Sequence, residues 1–499
     1  MTGNSTGNSA GPSGTAVPFD VVVAGGGSAG VAAACAAAES GARTALVEHT
    51  GQVGGTLAWQ LLEHSAGFHD MSGNQVVAGF GQRLVDRLTC YGGTPGHIRD
   101  DVGYTATRTP VNHAELALAE ATMLGEAGVQ TWLDRTVTGV AREGRRIATL
   151  DTWAAAGYRG LRPRVVVDCT GDGAVASLAG ARRHHDGDGR RQPASLLFKL
   201  GGVDFAGLLA YARAHPADFR PDSRIGSADD EHVNLWGFGS LLGAGHAEGL
   251  LSLRRAEMHV AGWPPRGEAV VNVTRVPASA PDGDGWPGEL ADLSRQVLEF
   301  ARWFRLRVPG CARAYVAATA DRVGVRESRR IVGEYTLTAD DVLGAARFGD
   351  AVARAAFPID IHSADTPTLS HTEKPGQAYD VPYRCLVAAG IDNLLVAGRC
   401  LSSTWEANGS ARITATCFAT GEAAGVAAAL AVRSGVPARK VDPAELRVRL
   451  AERGALPGHH AVPNQCRLAH PDPCPWWQEA AVPNRHGCRG SGAQWAHER

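Results

Sequence analysis

A short valine-rich run, Phe19 to Ala24, is followed at once by Gly25-Gly26-Gly27-Ser28-Ala29-Gly30 and then by the Ala-rich stretch Val31 to Glu39. A second apolar run, Thr44 to Val47, ends in Glu48. Continuous apolar runs of this length suit parallel strands buried on both faces. The order strand, glycine turn, helix, strand, acid therefore predicts a βαβ unit built around Gly25-x-Gly27-x-x-Gly30. In such a unit the first glycine permits the tight turn. The second lets backbone approach a pyrophosphate, and the third lets helix pack on strand. The helix N-terminus offers free N–H groups and a positive dipole end to the phosphates. Glu48, about twenty residues on, is placed to hold a ribose hydroxyl, and its charge would repel a 2′-phosphate. The competing reading is an ordinary glycine-rich turn; with strand, helix and acid all in place, the expectation is a bound FAD or NAD.

Later segments favour FAD. Gly51-Gln52-Val53-Gly54-Gly55-Thr56 follows Glu48 closely, where a glycine pair lets the chain pass a pyrophosphate on its way to a flavin. Asn393 to Ala397 reads as another buried strand, ended by Gly398-Arg399, then Gly409-Ser410-Ala411-Arg412 and a long Ala/Gly-rich helix over 415–432. A helix N-terminus there can face the N1/C2 edge of a flavin and stabilise its anionic reduced form.

The chain resembles the bacterial FAD-dependent oxidoreductase family, with a glutathione-reductase-type FAD fold, distantly related to thiazole synthases and to the flavin subunit of heterodisulfide reductase. The segments that carry the resemblance are AGGGSAGVAAA (24–34), GQVGGT (51–56), VVVDCTGDG (165–173), GVRESRRIVGEYTLTADDV (324–342), FPIDIH (357–362), YDVPYRCL (379–386), NLLVAGRCLSS (393–403) and GSARITATCFATGEAAG (409–425). It implies an α/β fold: a Rossmann-like FAD domain of discontinuous segments with an inserted α+β substrate domain. The division it implies is a tail over 1–17, FAD-binding parts over 18–190 (with a loop insertion at about 57–110) and 376–435, a substrate or cap domain over 191–375, and a C-terminal helix and irregular tail over 436–499. It assigns contacts with FAD, held non-covalently, to Gly25, Gly27, Ser28, Ala29, Gly30, Glu48, Gly54, Gly55, Thr56, Thr170, Gly171, Gly398, Arg399, Ser410 and Arg412, with Val137 bonding adenine through its backbone. Related iron–sulfur proteins carry cysteine ligand clusters that are missing here, which argues against electron bifurcation.

Composition narrows the function further. The 499 residues carry 49 basic and 51 acidic side chains, a net charge of −2, with no long charge block. That excludes a nucleic-acid footprint and a polybasic membrane surface. No uninterrupted apolar run approaches the ~20 residues of a spanning helix, so no membrane is expected. Ten scattered cysteines without a CxxC pair suit a reducing cytoplasm and no zinc or iron–sulfur site. Cys466, Cys474 and Cys488 lie among histidines in the tail with no standard metal spacing, so no metal is expected.

Candidates for the reaction are fewer. Arg326 opens Arg-Glu-Ser-Arg-Arg (326–330), in which an arginine pair can fork onto a substrate carboxylate; the same residues can equally form an internal ion-pair network with Glu327 or Glu334. His362, two residues after Asp360, can take a proton with the acid biasing its imidazole; a structural histidine is the other reading. Tyr383 is a candidate proton donor and Arg384 a candidate anion clamp, against packing roles for both. His64 and His69 can line the pocket or sit in a loop, and Trp59 can flank the flavin or substrate or serve as packing. The expected function is a dehydrogenase or oxidase moving a hydride between a small organic substrate and flavin N5, with an external electron donor or acceptor as a further partner. A flavin monooxygenase is the alternative, and a non-redox protein with structural FAD the second.

Overall fold

In the computed structural model, described residues are 16–184, 191–221, 223–278, 288–362, 369–371 and 377–459. The expected N-terminal tail, up to residue 15, and the cysteines at 466, 474 and 488 lie outside them.

The strand Val17–Ala24 sits inside a parallel sheet. Thr44–Val47 pairs with one side of it and Gly157–Asp168 with the other, so that Val21 faces Thr44 and Val165. Gln130–Trp132 extends the sheet beyond Thr44–Val47, and Leu394–Val396 pairs with the C-terminal end of Gly157–Asp168, both in parallel. Val21 to Val23 and Val165 to Val167 are all buried, which is why their sequence is apolar without alternation. Gly157–Asp168 begins well before the valines. Its first residues are exposed or half-buried, residues 161–164 alternate buried and exposed, and residues 157–161 pair antiparallel with Arg146–Ala154, which in turn pairs with Thr136–Glu143. One strand thus joins the parallel and antiparallel parts of a single seven-stranded sheet.

The helix Ser28–Glu39 covers the parallel sheet and packs along Thr414–Ser434. Two glycines make this approach close: a Cβ on Gly421 would lie 2.1 Å from the Ala29 carbonyl oxygen, and one on Gly425 2.2 Å from that of Ala33. Thr414–Ser434 is long and apolar enough to cross a membrane by length and composition, yet it is almost wholly buried as the core helix of this fold.

Between Gly157–Asp168 and Leu394–Val396 the chain builds a second sheet. It is antiparallel, in the order Val233–Gly237, Met258–Trp263, Glu268–Asn272, Phe198–Gly201, Tyr315–Thr319. The amphipathic helix Glu289–Arg307 closes its core through Leu293, Val297, Phe300 and Phe304. Residues 331–403 return to the first sheet, where Ile331, Ala388 and Leu394 share a cluster with Val22. The architecture is the expected Rossmann-like α/β fold with an inserted sheet.

The early insertion is more ordered than its composition suggests. It forms a small sheet of His64–Ala66, Ile98–Arg99 and Thr107–Pro110, and the helix Phe80–Cys90. A buried polar layer ties it to the second sheet. Glu63 accepts from Lys199 (2.7 Å) and Trp263 Nε1 (3.1 Å) and lies 2.6 Å from His113 Nδ1.

Candidate cofactor and substrate site

The sheet ends its parallel strands on a cavity of about 650 Å³. Three glycines of the first turn do different work there. Gly25 has φ +95° and would drive a Cβ to 2.5 Å from the Cys169 carbonyl oxygen, so it serves the turn. A Cβ on Gly30 would lie 1.7 Å from the Gly25 oxygen, so it serves helix packing and does not line the cavity. Gly27 is unlike both. Its backbone is extended, φ −78° and ψ −175°, and its nearest neighbour for an added Cβ is Gly55 Cα at 3.7 Å. Nothing in the protein requires a glycine at 27. The missing side chain leaves open a cradle on the cavity wall at the N-terminus of Ser28–Glu39, which is what a pyrophosphate needs.

Glu48 is buried at the end of its strand. Its carboxylate accepts from Gly26 N–H (2.5 Å), Thr50 N–H (2.8 Å) and Thr50 Oγ1 (2.7 Å), and His49 Nδ1 lies 2.8 Å away. Burial pushes its pKa up, but the bonds from His49, Gly26 and Thr50 outweigh that and hold it below the usual value. It is therefore an anion facing the cavity, suited to ribose hydroxyls. Gly55 and Thr56 continue the wall, while Gly54, at φ +107°, makes the turn behind it. Thr170 and Gly171 line the opposite side, held by Asp168, which accepts from Thr170 N–H and Oγ1 and from Ala176 N–H. Gly398 has φ +76° and sits against Ala29, and the first turn of Thr414–Ser434 opens onto the same space through Thr414 and Cys417. The set fits one long dinucleotide: a phosphate turn and ribose acid at one end, a second helix N-terminus at the other.

A family model described as FAD dependent oxidoreductase matches residues 20–450. The chain belongs to that family. FAD is its cofactor, and Gly27 and Glu48 are the residues whose geometry fits it most directly. The cavity thiols Cys169 and Cys417 are both raised by burial, Cys417 to about 12, so neither is poised as a nucleophile for a covalent flavin link. No curated protein matches by sequence. Among solved structures, the chain is similar to a geranylgeranyl bacteriochlorophyll reductase-like protein from Thermoplasma acidophilum (13% identity, TM-score 0.42, covering 87% of this chain and 83% of that one). It is also similar to p-nitrophenol 4-monooxygenase from Pseudomonas putida (13%, 0.42, 87% and 86%) and to OxyS anhydrotetracycline hydroxylase from Streptomyces rimosus (14%, 0.41, 88% and 66%).

The remaining expected residues divide. Ala29 and Ser28 line the cavity, as do Arg399 and Arg412. Arg399 is paired with Asp172 at 2.9 Å and donates to Ser328 Oγ, so much of its charge is used within the protein. Ser410 is not on the cavity wall: its hydroxyl donates to the Phe357 carbonyl and bonds Tyr379. Val137 is half-buried on the cluster around Val22 and Val47, also away from the wall. Tyr383 is corrected from proton donor to packing residue, because it is buried and its hydroxyl donates to the Ala438 carbonyl at 2.7 Å. Arg384 is corrected from anion clamp to surface residue: it is exposed and forks onto Asp350 at 2.9 and 3.2 Å.

Arg326 and His362 do reach the cavity. The rest of the arginine-rich segment works inside the protein: Glu327 accepts from Gln192, and Arg330 donates to the Ser403 carbonyl. His64, read as a pocket-lining or loop residue, lies on a strand and lines the cavity beside His259, with ring centroids 5.1 Å apart. Trp59, read as a cavity-flanking or packing residue, also lines it. Sequence reasoning missed Arg255, Arg275, Trp236 and His259, which the second sheet and its loops bring to the wall. Their only signal was polar residues interrupting apolar strands, as in Asn272-Val273-Thr274-Arg275.

Buried histidines give the fold a pH dependence. Burial depresses His64 and His97 to about 4 and His362 to about 3, and pushes His232 and His259 well below their usual value. As pH falls below about 6.5 the unfolded chain takes up these protons before the folded one does. The histidine contribution to stability is therefore full above that pH and is lost steeply between about 6.5 and 4. Urea midpoints measured at pH 7.5, 6, 5 and 4.5 should show the loss, and a flat profile would contradict the assigned burial.

Proposed function

We propose that this oxidoreductase oxidises a small organic molecule held in the far end of the cavity, with His362 as the base. Bound FAD supplies a two-electron acceptor. The observation that carries the reading is that the FAD cradle and the Asp360–His362 pair open onto one cavity. His362 Nε2 lies 2.9 Å from Asp360 Oδ2, and its backbone N–H donates to Gln192 Oε1. Burial, then the nearby Arg326, keeps the imidazole neutral at neutral pH. Asp360 stays ionised, at about 2: burial pushes it up, but His362, Arg412 and Arg326 outweigh that.

The electron acceptor that completes the cycle comes from outside the chain, and we place the protein in the cytoplasm of a bacterium. The test is an anaerobic titration of the yellow protein with candidate substrates. Bleaching by substrate alone supports the reading. Bleaching only by a reduced nicotinamide, followed by oxygen consumption, would replace it with a monooxygenase. With any bleaching substrate, His362→Gln should slow reduction by about 10²–10⁴-fold while FAD content stays unchanged.

A further inference from the structure

Arg255, Arg275, Arg326 and Arg412 all line the cavity. Arg275 is 5% exposed. Its Nη1 donates to Ser195 Oγ at 2.9 Å, and Arg326 Nη1 donates to the same oxygen, also at 2.9 Å. Two guanidiniums are thus fixed on one serine hydroxyl, with no carboxylate of a described residue bonded to either. Arg275 Nε is buried without a hydrogen-bond partner among the described residues. Arg255 also lines the cavity, and its guanidinium makes no hydrogen bond or ion pair with a described residue. Arg412 is the fourth, donating to the Asp360 carbonyl at 3.1 Å and to Gln192.

Among the described residues, the acids that favour these charges, Glu257 and Asp360, are themselves already engaged. Glu257 is taken bidentately by Arg220 at 2.9 and 3.1 Å. Asp360 is shared between His362 at 2.9 Å and Arg412 at 3.7 Å. Burial, then Arg412, works against the charged form of Arg326 and brings its pKa to about 9, with Asp360 opposing. Like charges held this close in a buried wall are unfavourable unless an anion completes the set. FAD's own phosphates are accounted for at the Gly27 cradle.

We propose that the substrate carries an oxyanion, a carboxylate or a phosphate, which docks on Arg255, Arg275 and Arg326. A planar guanidinium forks onto either group through paired N–H donors, and three of them would orient the molecule with its opposite end toward the flavin. This assignment deepens the proposed oxidation and rests on it for the word substrate. The anion site itself does not depend on which reaction follows.

The experiment uses the FAD-loaded protein, at constant ionic strength, titrated with benzoate, with inorganic phosphate and with neutral benzamide. Flavin absorbance and thermal shift are both read. Saturable binding of benzoate or phosphate, and none of benzamide, is expected; the tighter of the two anions tells carboxylate from phosphate. Arg255→Met, which removes no bond within the protein, should weaken that binding at least about tenfold (about 1.4 kcal/mol) with FAD content unchanged. Arg326→Met should do the same. Absence of saturable anion binding to the loaded protein, or unchanged binding in Arg255→Met, overturns the proposal. Failure of the proposed oxidation would appear separately, as anion binding intact with no substrate able to bleach the flavin.

Discussion

Gly27→Ala will fold and will fail to retain FAD, whereas Gly30→Ala will not fold. The two glycines belong to one motif, yet the space around them differs. At position 27 the backbone lies in a region open to any residue, and an added methyl meets nothing nearer than 3.7 Å. Its cost to the protein is that of a poorer helix N-cap, roughly 1 kcal/mol. The methyl instead projects where a pyrophosphate must touch backbone, and FAD affinity should fall about a hundredfold, about 2.7 kcal/mol. At position 30 the methyl would lie 1.7 Å from the Gly25 carbonyl oxygen, a contact no repacking relieves. Circular dichroism and flavin content of the two purified variants separate the cases. A yellow, fully loaded Gly27→Ala protein would refute the assignment of this turn to the phosphates.

Gly425→Val should be among the most damaging single changes in the C-terminal half, with Gly421→Val beside it. Its Cβ would lie 2.2 Å from the Ala33 oxygen, backbone against backbone, so neither helix has a flexible side chain that could move aside. Overpacking typically costs about 1–3 kcal/mol, and here the upper end or more is expected. The effect should extend to the cofactor, because Ser28–Glu39 carries the Gly27 cradle at its own N-terminus. Gly125→Ala is the control. It lies within the helix His113–Glu126 with nothing inside 4 Å of an added Cβ, and it should be neutral or stabilising by up to about 1 kcal/mol. Thermal melts of both variants, with and without added FAD, test the pair.

Legibility in the sequence followed the range of the interaction. The parallel strands announced themselves because burial on both faces leaves an unbroken apolar run, as at Val21 to Val23. Asn112 caps His113–Glu126 through equally local bonds, its Oδ1 accepting from the N–H groups of Ala114 and Glu115, two and three residues on. The first half of Gly157–Asp168 was not readable, since its pairing depends on a neighbouring strand. Tyr383 and Arg384 were singled out for their chemistry, but that chemistry is consumed by the Ala438 carbonyl and by Asp350, partners that only folding brings near. Arg275 was passed over for the opposite reason: nothing local distinguishes it, and only the second sheet places it beside Arg326.

By itself the sequence determined the cofactor half of this protein. A phosphate turn is a local object, made of backbone conformation and a few adjacent glycines, with an acid at a set distance along a strand. Only tertiary structure decided which side chains meet in the proposed substrate half. There Arg255, Arg275, Arg326 and His362 come from separate segments, and their function depends on which charges face each other across a buried wall.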